Sequence, residues 1–75
     1  MKTNEEIVNK IREMMFEEHK TIIKYRNLKK ECEKRNDYSG VDSAEFCEKR
    51  HGQYYEMLAK VLVFAIDDGK EEEND

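Results

Sequence analysis

An all-α antiparallel hairpin is the fold this sequence predicts, and three observations predict it. Helix breakers are nearly missing: proline is absent and glycine occurs only at Gly40, Gly52 and Gly69. Two helix-start signals are present, one at Thr3 and one at Asp42. Two apolar seams repeat at spacings of three and four, the period of a helix that packs along one face.

The first helix opens at Thr3-Asn4-Glu5-Glu6, a capping box in which the Thr3 hydroxyl and the Glu6 carboxylate satisfy backbone amides that have no partner within the helix. It is expected to span about residues 4 to 35. Glu5 and Glu6 lie at the positive end of its dipole and Lys34 and Arg35 at the negative end, both favourable placements. The turn formers Asn36-Asp37-Tyr38-Ser39-Gly40 then predict a loop over about 36 to 41. A second capping box, Asp42-Ser43-Ala44-Glu45, opens the second helix, flanked by Val41 and Phe46 at staple positions. That helix is expected to run over about 42 to 68 and to stop at Gly69, with Gly52 as a weak point inside it. Residues 1 to 69 thus form one domain, and the acidic tail 70 to 75 has nothing to bury and reads as disordered.

Ile7, Ile11, Met14, Glu18, Thr21, Tyr25, Leu28 and Cys32 form the seam of the first helix; Cys47, His51, Tyr54, Leu58, Val61 and Ala65 form that of the second. Folded antiparallel, facing residues have position numbers adding to 79, so Cys32 meets Cys47, Leu28 meets His51, Tyr25 meets Tyr54 and Glu18 meets Val61. This alignment leaves about six residues for the turn, an ordinary length between packed helices.

Apolar residues spill beyond the seams. Met15, Phe16, Ile22 and Ile23 flank the first, and Met57, Leu62, Phe64 and Ile66 flank the second. Two helices alone would leave them as an apolar patch in water, which soluble monomers rarely tolerate. A second copy closing a four-helix bundle is the economical cover, and another protein is the alternative. These eight residues are the predicted interface. His19, among them on the outer flank, reads as an interface residue as well.

Composition narrows the function classes. The chain has 75 residues, too few for the enclosed cleft that most enzymes build, so a non-catalytic interaction module such as an adaptor, regulator or inhibitor is expected. Its 43% charged and 37% hydrophobic residues suit a long-helix bundle better than a disordered chain. The opening Met1-Lys2-Thr3-Asn4 shows no apolar signal segment, and the longest apolar run, Met57 to Ile66, is broken by Lys60 and too short to span a bilayer. A cytoplasmic protein with free thiols is therefore expected, without membrane contact. Residues 20 to 50 carry nine Lys or Arg against six Asp or Glu, and the remainder five against twelve. The net charge of −4 and the interleaved acids argue against nucleic acid as partner.

Metal chemistry is the second class considered. In the register above, Cys32, Cys47 and His51 meet near the loop, where two thiolates and an imidazole, with Glu48 as a fourth group, have the donor types of a zinc site. The same geometry would allow a Cys32–Cys47 disulfide under oxidation. Glu48-Lys49-Arg50-His51 also matches the Glu-x-x-His element of di-iron bundles, with Glu31 level with Glu48. The ligand set is incomplete in both cases, so no metal and no cofactor is expected. A third alternative, a phage-type inhibitor masking a nucleic-acid-binding site, rests on size and acidity alone.

Overall fold

The structure is a computed structural model that describes residues 3 to 74, with side chains from residue 3 to 67. It consists of two helices, α1 (Asn4–Lys34) and α2 (Tyr38–Asn74), packed against each other as an antiparallel hairpin. The molecule is a rod 59 Å long, about what 37 residues of helix span at a rise of about 1.5 Å each.

α1 begins as its sequence predicts. Thr3 is extended at φ −74° and ψ 162°, and its Oγ1 accepts the Glu6 N–H at 3.2 Å. The helix ends in a Schellman motif. Asn36 takes the left-handed conformation at φ 57°, the Asp37 N–H donates to the Cys32 carbonyl at 2.9 Å, and the Asn36 N–H donates to the Glu33 carbonyl at 3.2 Å. Asparagine tolerates this φ better than other non-glycine residues.

The second helix start differs from the expected one. Asp37 is its N-cap: Oδ1 accepts the Gly40 N–H at 3.0 Å, and its carbonyl accepts the Val41 N–H at 3.0 Å. Asp42, Ser43 and Glu45, expected to form the cap, lie inside α2, and Phe46 is exposed rather than stapled. The loop is therefore Arg35 to Asp37, not residues 36 to 41. An asparagine suited to end one helix directly precedes an aspartate suited to start the next, so no further linker is needed. At its other end α2 passes Gly69 and continues through Asn74, where the sequence predicts a disordered tail; Asp75 lies outside the described residues. Glutamates 71 to 73 are good helix formers, which favours continuation.

Starting α2 early changes the register. With facing numbers adding to 79, Arg26 and Lys29 would meet Gln53 and Arg50; instead Arg26 Nε donates to Glu48 Oε1 at 3.0 Å and Lys29 Nζ lies 3.8 Å from Glu45 Oε2. Each partner stands five residues earlier on α2, a displacement of about 7.5 Å. The seams rotate as well. On α1 the column Ile11, Glu18, Tyr25, Cys32 stays inside and Val8, Met15, Ile22 and Lys29 lie beside it, while Ile7, Met14 and Leu28 turn outward and Thr21 stays half-buried. On α2 the column His51, Leu58, Ala65 stays and extends back to Ala44, and Glu48, Tyr55 and Leu62 lie beside it, while Tyr54 and Val61 turn outward and Cys47 stays half-buried. Met14, Leu28, Tyr54 and Val61 are exposed in consequence.

The two interior glycines have opposite roles. A Cβ at Gly40 would stand 2.5 Å from Asp37 Oδ2 and 2.7 Å from Cys32 Sγ, so the close approach at the loop requires a glycine. A Cβ at Gly52 would meet nothing within 4 Å, and its φ is not positive. Gly52 therefore costs helix stability with no packing return. Gly52→Ala is expected to stabilise the protein by about 1 kcal/mol, raising the melting temperature by about 4 to 8 °C in a circular-dichroism melt. No rise, or a fall, would show that α2 needs flexibility there.

Candidate interaction surface and the polar cluster in the seam

Among the described residues only Ile11, Cys32 and Ala44 are fully buried hydrophobic side chains, and two of the three are small. The middle of the seam is polar instead. His51 Nδ1–H donates to Glu18 Oε2 at 2.6 Å, with both side chains about one-quarter exposed. The His51 ring stacks on Tyr25 at 5.6 Å between centroids and meets the edge of Tyr54 at 5.4 Å. Arg50 Nε in turn donates to the Tyr54 hydroxyl at 2.8 Å, and this bond raises the Arg50 pKa above its ordinary value. The two tyrosines do not face each other as expected, because the imidazole lies between them.

This cluster also occupies the groups considered for metal binding. Cys32 Sγ lies under Gly40, seven residues and thus about 10 Å along α2 from Cys47, so the expected meeting of the two thiols does not occur. His51 Nδ1 is committed to Glu18, and Glu48 pairs with Arg26. Among the described residues no three His, Cys, Asp or Glu side chains converge as a metal site would require. A carboxylate oriented on an imidazole can position a base, but Tyr25, Tyr54 and Arg50 are the other groups around it, and none of them is a serine or cysteine nucleophile. The arrangement is suited to locking two helices in one register.

Beside the seam runs a groove of about 310 Å³ lined by Arg12, Met15, Phe16, His19, Tyr55 and Leu62. Three of these, Met15, Phe16 and Leu62, belong to the predicted interface. Lys20 Nζ sits 5.0 Å from the Phe16 ring centre, at cation–π distance. Comparison with known proteins finds no matching family, no matching curated protein and no matching solved structure.

Of the eight predicted interface residues, Phe16, Ile23, Met57 and Phe64 are exposed, whereas Met15, Ile22, Leu62 and Ile66 are half-buried along the seam. Tyr55, which also flanks the second seam in the sequence, lines the groove too, whereas sequence reasoning missed Arg12 and the Glu18–His51 pair. The available signal was Asp37 as a helix cap: starting α2 there shifts which α1 residues His51 meets. Among the described residues no helix is long and apolar enough to cross a membrane.

Proposed function

We propose that this hairpin is a non-catalytic protein–protein interaction module that pairs with a second copy of itself into a four-helix bundle and acts as an adaptor, regulator or inhibitor of another protein. The observation that carries the reading is the imbalance between interior and surface. Among the described residues three buried hydrophobic side chains stand against twelve large ones that are exposed, Phe64 and Tyr38 each at 74%. Each large apolar side chain is worth roughly 1.5 to 3 kcal/mol when fully buried, so a partner surface would supply much of what the hairpin lacks. Two long helices with short connections are the ordinary half of such a bundle.

Folding and association are then coupled. Sedimentation at micromolar concentration is expected to give about twice the chain mass of 9.0 kDa, and the melting temperature is expected to rise with protein concentration. A well-folded species of single-chain mass, melting at one temperature at every concentration, would refute self-association.

A further inference from the structure

We infer that the second copy closes on one particular side of the hairpin, the side bearing Ile7, Met14 and Leu28 of α1 and Tyr54 and Val61 of α2. This rests on the reading of the chain as a self-associating module. In an antiparallel pair, the residues one position before a seam column on either helix fall on the same side, and those one position after fall on the other. The two sides differ in chemistry. On the first, α1 presents Ile7, Met14, Thr21 and Leu28 at intervals of seven, and α2 presents Cys47, Tyr54 and Val61 at the same interval. None of these seven residues is charged, and the nearest charge on α2 is Arg50, which donates to the Tyr54 hydroxyl. On the second, the equivalent α1 column is Arg12, His19 and Arg26, and α2 places Glu45, Gly52, Ala59 and Ile66 there. That side is laced by the Arg26–Glu48 and Lys29–Glu45 ion pairs, which a covering helix would have to desolvate.

Area points the same way. Ile7, Met14, Leu28, Tyr54 and Val61 are 37 to 47% exposed, and Met57 and Phe64, one column further out, are 62% and 74% exposed. With a full side chain at roughly 150 to 200 Å², these seven leave about 600 Å² of apolar surface per chain, or about 1,200 Å² for a two-fold pair, the lower bound of stable interfaces. On α2 the adjoining column adds Met57 and Phe64, whereas on α1 it is Lys10, Glu17, Lys24 and Glu31, which would form a charged rim around the contact. A second copy offers the same stripe in return, because a two-fold contact joins like patches. The groove around Phe16 on the opposite side stays open in this dimer.

Paired substitutions test the assignment. Val61→Glu introduces two unpaired charges into a two-fold interface and is expected to raise the dimer dissociation constant about 100-fold or more in sedimentation equilibrium. Phe16→Glu, on the groove side, is expected to change it by less than about threefold. Because Val61→Glu could also unfold the chain, the native Cys47 thiol supplies a second readout on the folded wild-type protein. Its alkylation rate, followed by mass spectrometry, should fall at least about tenfold as concentration rises through the dimer range. A dimer that survives Val61→Glu and dissociates with Phe16→Glu, or one whose Cys47 reacts equally fast at all concentrations, would overturn the chosen face while leaving self-association intact. A wild-type chain that stays monomeric throughout would overturn both.

Discussion

His51→Ala is expected to lower the unfolding free energy by about 2 kcal/mol and the melting temperature by about 10 °C at fixed protein concentration. The loss has two sources. A hydrogen bond to a charged group contributes roughly 1.5 to 3 kcal/mol, and the two aromatic contacts of the ring add about 0.5 to 1.5 kcal/mol each. Both side chains retain contact with water, which discounts the sum to just below the low end of the combined range, about 2.5 kcal/mol. The deeper consequence concerns Glu18, which is left half-buried in the seam without its donor. Replacing both members by leucine should therefore restore most of the stability or exceed it, because an apolar pair carries no desolvation penalty. The double variant is expected to lose uniqueness in exchange: without the polar pair, alternative registers and oligomer sizes become accessible, visible as heterogeneous sedimentation. A His51→Ala loss below about 0.5 kcal/mol, or a double-leucine variant no more stable than the single one, would remove the pair from its role in setting register.

Gly40→Val is expected to destabilise by about 2 to 3 kcal/mol. The added Cβ would lie within 3 Å of both Asp37 Oδ2 and Cys32 Sγ, and Cys32 is only 3% exposed, so its sulfur has little room to withdraw. Displacing Asp37 breaks the N-cap, at about 1 kcal/mol, and overpacking against the sulfur costs about 1 to 3 kcal/mol. Shortening the obstacle should relieve part of this. Gly40→Ala in a Cys32→Ala background is expected to cost at least about 1 kcal/mol less than Gly40→Ala alone, a coupling that urea titration of the four proteins measures. Additive losses would place the two residues out of contact and refute the close helix approach at the loop.

Much of this architecture is legible without coordinates, and the limit falls at a definite place. Helical periodicity, the near absence of breakers and the Thr3 cap are local properties, each decided by residues within one or two turns, so α1 and the existence of a second helix follow from them. The seam columns Ile11, Glu18, Tyr25, Cys32 and His51, Leu58, Ala65 follow too, since a heptad column shows itself in any single helix. Two choices could not be ranked locally. Asp37 and Asp42 are both competent N-caps, and only the Schellman turn at Asn36, joined directly to Asp37, selects the earlier one. That choice shortens the loop and moves the facing partners, by five residues at Arg26 and Lys29 and by ten at Glu18. It also decides whether the column beside the seam lies one position before or after, because both are apolar enough to pack. The meeting of Glu18 with His51, the separation of Cys32 from Cys47 and the exposure of Met14 and Val61 all descend from it. Helix formation is thus a local matter in this chain, while the identity of each residue's partner depends on where a three-residue turn closes, and only tertiary packing decides that.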